Sequence, residues 1–272
     1  MANSTHELGV VEDTLYVPML GRIYASKHCK HILYDEKALE LEGKLPANMM
    51  ESSTQTQYTY LASASRSANM DRHIADFLKR EPGGVIVQLG VGLETTFYRD
   101  DDGHAQWYGV DLPHVIDYRR ALLPDQERET CIAGDAFEPA WIEQVRSEHA
   151  HAPLLITASG LFYYVEEERV LGLMRMLQGF GGVELLFDTV NKSGMTMMRK
   201  KHMKTVGHAD AQMFFYVDSA DDLAAKVGGG TKVLLEENFY AHISKSGLKF
   251  STKASMVASD LLGMVKMVHL KL

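Results

Sequence analysis

The feature that most constrains this chain is the apolar run Val85-Ile-Val-Gln-Leu89, which stops abruptly at Gly90-Val-Gly92. A short apolar run closed by glycines reads as a strand buried on both faces, as in a parallel sheet. Residues 106–111 read as a second strand ending on an acid, 129–133 as a third with a weaker pattern, and 153–159 and 182–188 as a fourth and fifth. Residues 232–235 are a sixth candidate. At the tail, Val268, Leu270 and Leu272 alternate with His269 and Lys271, which predicts a half-exposed final strand. Between these runs, residues 166–178 place Val170, Leu173, Met174 and Leu177 on one helical face, behind three glutamates that suit the helix N-terminus. Strands alternating with helices predict an open α/β sheet. Residues 1–80 carry no strand pattern. Leu61, Ala64, Ala68, Ile74 and Leu78 recur at near-helical spacing until Glu81-Pro-Gly-Gly84 ends that helix. The expected organisation is an α/β core over residues 81–272 beneath a helical N-terminal cap over residues 1–80.

Composition suits that reading. The chain has 272 residues, 46% hydrophobic and 24% charged, enough apolar material for a large core. Its 28 Lys and Arg against 36 Asp and Glu leave a net charge of −8, which counts against a general nucleic-acid binder. Cys29 and Cys131 are too few for a disulfide framework and predict free thiols in a reducing cytosol. The first residues lack the basic start and apolar stretch of a signal peptide, and no apolar run approaches the roughly 20 residues that cross a bilayer. A soluble cytoplasmic protein with neither nucleic-acid nor membrane partner is expected, with no signal for its oligomeric state.

In an open α/β sheet, ligands bind at the carboxyl ends of the strands. Gly90 and Gly92 let the backbone turn tightly there and approach a ligand. Asp111, 21 residues after Gly90, ends the second strand, where an acid can accept hydrogen bonds from both ribose hydroxyls. A dinucleotide fingerprint would want a third glycine where Thr95 stands, and residues 93–105 leave little room for a helix that cradles a pyrophosphate. Asp135, just after the third strand, can accept from an adenine amino group, or it can simply cap a helix. The pattern favours adenosine without pyrophosphate, as in S-adenosylmethionine, over a nicotinamide cofactor.

The run Gln88-Leu-Gly-Val-Gly-Leu-Glu-Thr-Thr-Phe-Tyr-Arg99 resembles the glycine loop of the leucine carboxyl methyltransferase superfamily, including its bacterial tetracenomycin-type O-methyltransferase branch. Gly109-Val-Asp-Leu-Pro113, Gly134-Asp135 and Leu154-Leu-Ile-Thr-Ala-Ser-Gly-Leu-Phe-Tyr-Tyr164 are similar to its next strand ends, in order and spacing. Ala64-Ser-Arg66-Ser and residues 14–22 also resemble the bacterial branch. The resemblance implies a Rossmann-like, seven-stranded methyltransferase sheet with helices on both faces, binding S-adenosylmethionine. It implies that Arg66 pairs with the methionine carboxylate and that Gly90 and Gly92 pass beside the methionine portion. Asp111 would hold the ribose, and Asp135 with Ala136 would bracket the adenine. Ser159 stands where the leucine carboxyl enzymes carry a glutamate near the methionine ammonium, a departure that counts against the protein-modifying branch.

The acceptor side is less legible. Lys192, Arg199, Lys200, Lys201 and Lys204 fall in a stretch without acids, inside an expected substrate-region insertion near residues 189–218. They can guide an anionic or phenolic small molecule, or form a solvated helix face. Met195, Met197, Met198 and Met203 suit an adaptable pocket or ordinary core packing. His202, His208 and Tyr163 are the candidates for contact with the acceptor or for a general base. No metal site is expected, because neither His28 with His31 nor His202 with His208 forms a ligand motif. Arg22 or Tyr24 of the cap is expected to contribute to the site. The leading expectation is O-methylation of a small-molecule hydroxyl or carboxylate. The alternatives are carboxyl methylation of a protein C-terminus and a catalytically silent protein that only binds S-adenosylmethionine.

Overall fold

The alternation of apolar runs and amphipathic segments builds one twisted sheet clothed in helices. A computed structural model describes residues 11–46, 56–205 and 213–272. The strands are β1 (Val85–Leu89), β2 (Gln106–Asp111), β3 (Glu129–Ala133), β4 (Leu154–Ala158), β5 (Val183–Val190), β6 (Lys232–Asn238) and β7 (Val265–Lys271). The helices are α1 (Val11–His28), α2 (Glu36–Leu41), α3 (Gln57–Arg80), α4 (Thr96–Asp100), α5 (Pro113–Leu122), α6 (Ala140–Glu148), α7 (Glu167–Gln178), α8 (Lys192–Thr205), α9 (Ala220–Val227) and α10 (Phe250–Leu261). Strand order is β3-β2-β1-β4-β5-β7-β6, parallel from β3 to β5, with β7 antiparallel to both its neighbours.

Side chains alternate between the two faces of each strand, so each face has its own helical cover. Val85, Val87, Leu154, Ile156, Leu185 and Phe187 pack with Trp141 of α6, Met174 and Leu177 of α7 and Leu223 of α9. Ile86, Trp107, Leu155 and Leu186 face the other way, against Leu61, Ile74 and Phe77 of α3 and Met256 of α10. Ala25 and Leu33, from the N-terminal helical segment, belong to that second cluster too, so the segment and the sheet share an apolar core. Gly21 lets α1 lie hard against α3: a Cβ there would come 2.7 Å from both the Ser63 Cβ and the Tyr60 carbonyl.

One local expectation needs correction. The final strand is not half-exposed: Met267 to Leu270 are all buried, because β7 inserts between β5 and β6. The polar residue His269 is accommodated there by Glu184, 2.9 Å away. The segment after Gly92 holds only the five-residue α4, and α10 has no counterpart among the expected elements.

Candidate functional site

The carboxyl ends of β1, β2, β4 and β5 converge on one edge of the sheet, and the glycine loop forms its centre. Gly90 (φ +64°) and Gly92 (φ +45°) are both left-handed, so only glycine adopts this turn without strain. The Gly90 and Val91 amides continue the ladder onto the Val110 carbonyl, at 2.9 and 3.2 Å. The Gly92 amide then donates to Asp111 Oδ2 at 2.8 Å, while the Leu112 amide donates to Oδ1 at 2.8 Å. Asp111 thus ties the two loops together and keeps a second lone-pair site on each oxygen for a ligand. Burial raises its pKa, and the two amide hydrogen bonds oppose that rise without cancelling it.

Arg66 projects from α3 towards the turn after β4. Its Nε donates to Asp188 Oδ2 at 2.6 Å, at the end of β5. The two Nη groups donate to no carboxylate or carbonyl among the described residues. Nη1 lies under Gly160 (φ +70°), where a Cβ would stand 3.1 Å away, so the glycine leaves the space that the guanidinium fills. Half-buried Ser159 precedes this glycine.

On the adenine side of the expected site, Asp135 Oδ1 accepts from the Phe137 amide at 2.9 Å and Oδ2 accepts from Arg169 of α7. Arg169 also lies 4.7 Å above the Phe137 ring. Ala136 is buried, and its carbonyl accepts from the Trp141 indole at 3.0 Å. Asp135 therefore shapes its own turn, ahead of α6, as well as facing the edge where the ligand is expected.

Three expected acceptor residues fare differently. Tyr163 is buried and donates to Asp188 Oδ2 at 2.7 Å. Burial and the Asp188 charge push its pKa well above the ordinary phenol range, against the pull of Arg66. In this geometry it is a hydrogen-bond donor to Asp188. His202 lies on α8, with its side chain outside the described residues, and His208 is outside them altogether. Met195 and Met213 are buried with Tyr163 and Val190, so these methionines pack a small apolar cluster beside the site. Arg199 donates its Nε to the Met213 carbonyl at 2.7 Å, so it is not a freely solvated cation.

Arg22 reaches the site by a route that spacing did not reveal. It is buried and donates to the Leu93 carbonyl at 2.7 Å and to Glu94 at 2.9 Å, so α1 braces the glycine loop. Tyr24 instead stacks on Tyr60, within the helical layer. Glu94, Asp35, Arg99 and Asp71 complete the buried ion network, with Arg99 forked on Asp71 at 2.8 Å. Asp188 was also missed. Its one sequence signal is the acid closing an apolar strand, as at Asp111. A cavity of about 360 Å³ lies elsewhere, at the amino ends of β4 and β5 between Phe77, Arg146 and Glu184.

The profile of the leucine carboxyl methyltransferase family matches residues 5–178, which include the glycine loop, Arg66, Asp111, Asp135 and the turn after β4. The chain belongs to the leucine carboxyl methyltransferase family. It is 26% identical over 188 residues to the tetracenomycin polyketide synthesis O-methyltransferase TcmP of Streptomyces glaucescens, covering 68% of each chain. Among solved structures it resembles a DUF574 family protein from Streptomyces avermitilis, with TM-score 0.58, 15% identity and coverage of 92% and 96% of the two chains. A methyltransferase of Thermobifida fusca, described as putative, gives TM-score 0.54 at 12% identity over 93% and 94%. Those two likenesses support the fold. As a member of the family the protein is a methyltransferase with S-adenosylmethionine as its cofactor. The residues present fit that group: an acid with spare acceptor sites at Asp111, a glycine turn open to close approach, and a guanidinium at Arg66 whose Nη groups meet no carboxylate or carbonyl among the described residues. No helix among the described residues is long and apolar enough to cross a membrane.

Proposed function

We propose that the protein is an O-methyltransferase acting on a small-molecule hydroxyl or carboxylate. The observation that carries this reading is the likeness to TcmP, which runs through two thirds of both chains, together with the acceptor sites left on Asp111 and the Nη donors of Arg66. Bound S-adenosylmethionine supplies a methyl group on a sulfonium, which already carries its own leaving group. The chain's task is then alignment and exclusion of water. Asp111 holds the ribose, Gly90 and Gly92 allow the backbone to lie beside the methionine portion, and the Arg66 fork takes the carboxylate. Asp135 and the Ala136 backbone bracket the adenine, and the Ser159 hydroxyl lies near the ammonium. The N-terminal helices close over this edge through Arg22.

Isothermal titration with S-adenosylmethionine, S-adenosylhomocysteine and NAD in parallel tests the cofactor side. The first two should bind and NAD should not; binding of NAD alone overturns the reading. Mass-spectrometric screening of phenols, small carboxylic acids and a peptide ending in leucine tests the acceptor side. Methylation of the peptide alone favours the protein-carboxyl alternative, and binding without turnover on any acceptor favours the silent one.

A further inference from the structure

The Asp188 carboxylate accepts three hydrogen bonds beside the site, and it has no access to a ligand. Its side chain is 0% exposed. Oδ2 accepts from Arg66 Nε at 2.6 Å and from the Tyr163 hydroxyl at 2.7 Å, and Oδ1 accepts from the Gly160 amide at 2.7 Å. These donors come from α3, from the short helix at Phe162–Tyr164 and from the turn after β4, so one carboxylate joins three pieces of chain around Arg66.

The geometry points to Asp188 as a positioning residue that turns Arg66 so that its Nη groups face the carboxylate of the cofactor's methionine portion. This rests on the proposed part of Arg66. A guanidinium is planar, so a hydrogen bond at Nε sets the direction of the two Nη groups. Asp188 holds Nε by a hydrogen bond, and Gly160 packs close against Nη1. Without Asp188, Arg66 would lose that orientation and its buried counter-charge, and a bidentate fork depends strongly on orientation.

Two probes separate this from a purely structural role: S-adenosylhomocysteine, which carries the amino-acid carboxylate, and 5′-methylthioadenosine, which keeps the nucleoside and thioether but lacks the amino-acid end. Asp188→Asn should weaken the first by tenfold or more and the second by less than threefold. In Arg66→Ala, adding Asp188→Asn should cost no further affinity. Equal losses for both probes, or additive losses in the double variant, overturn the proposal. If Arg66→Ala binds S-adenosylhomocysteine normally, it is the Arg66 reading that fails.

Arginine side-chain NMR of the unmutated protein supplies a readout that needs no Asp188 variant, with Arg66→Lys used only to assign the signals. The Arg66 Nε proton should resist exchange before any ligand is added. Its Nη protons should gain protection with S-adenosylhomocysteine and not with 5′-methylthioadenosine. A freely exchanging Nε proton overturns the proposal.

Discussion

Arg22 and Glu94, 72 positions apart in the chain, meet at 2.9 Å with the arginine almost wholly buried. The pair joins α1 to the glycine loop after β1, and the Leu93 carbonyl accepts from the same guanidinium. Removing one partner of a buried pair leaves the other charge uncompensated. Arg22→Ala is therefore expected to destabilise the protein by about 3–5 kcal/mol, read from urea denaturation, and to weaken S-adenosylhomocysteine binding. A variant with unchanged midpoint and affinity would show that α1 does not brace the loop.

The same network carries a pH signature. Burial alone would push the Glu94 carboxyl up, but Arg22, Arg99 and the Thr95 amide together hold it at about 2. Its folded pKa lies below the ordinary value of 4.5, so its contribution is complete above that pH and is lost as pH falls towards 2. Stability measured from pH 6 to pH 2 should fall, and Glu94→Gln should fall less steeply, by up to about 1.4 kcal/mol per pH unit.

Asp100 has the opposite sign. Burial, the neighbouring Asp71 charge and a hydrogen bond shared with the Asp71 carboxyl push it up to about 8. The folded state then binds a proton that the unfolded chain has already released, so stability drops as pH rises from about 4 to about 8 and is level above. Asp100→Asn should gain on the parent protein across that window, by at least about 1 kcal/mol at pH 9. Melting temperatures at pH 5 and pH 9 decide it, since a constant difference between the two proteins would contradict the assignment.

Asp111 accepts from both the Gly92 and the Leu112 amides, so its loss affects the loop as well as the ligand. Asp111→Ala should raise the dissociation constant for S-adenosylhomocysteine by about 100-fold or more, given roughly 1.5–3 kcal/mol for each hydrogen bond to a charged group. Calorimetry giving unchanged affinity would remove Asp111 from the ribose.

Gly21 tests the helix contact by sterics alone. Its missing Cβ would collide with backbone and Cβ atoms of α3, neither of which can rotate away. Gly21→Ala should cost about 1–3 kcal/mol, measured by chemical denaturation, despite alanine being the better helix former.

Much of this architecture was legible because it is written locally. The strands β1 to β3 lie at the expected residues, since glycines or acids close each apolar run. The glycine loop was readable for the same reason, since a turn requiring positive φ selects glycine, and Asp111 stood out as the acid that closes the strand beside that turn. His269 misled the reading of β7, because a polar residue in an alternating pattern signals solvent unless its partner, here Glu184, is known. Nothing near Tyr163 in sequence marks Asp188 as the partner of its hydroxyl.

Local pattern therefore settled where most of the strands lie, the glycine turn and the family, because each depends on residues within a few positions of one another. Folding in three dimensions settled the partners. Arg66 reaches Asp188 across 122 positions, Arg22 reaches Glu94 across 72 and Arg99 reaches Asp35 across 64. A charged side chain carries no mark in sequence of whether it will be buried, or of which opposite charge will meet it. That pairing follows from how the helices and the sheet are brought together, and the same packing sets the orientation of Arg66 and the brace on the glycine loop.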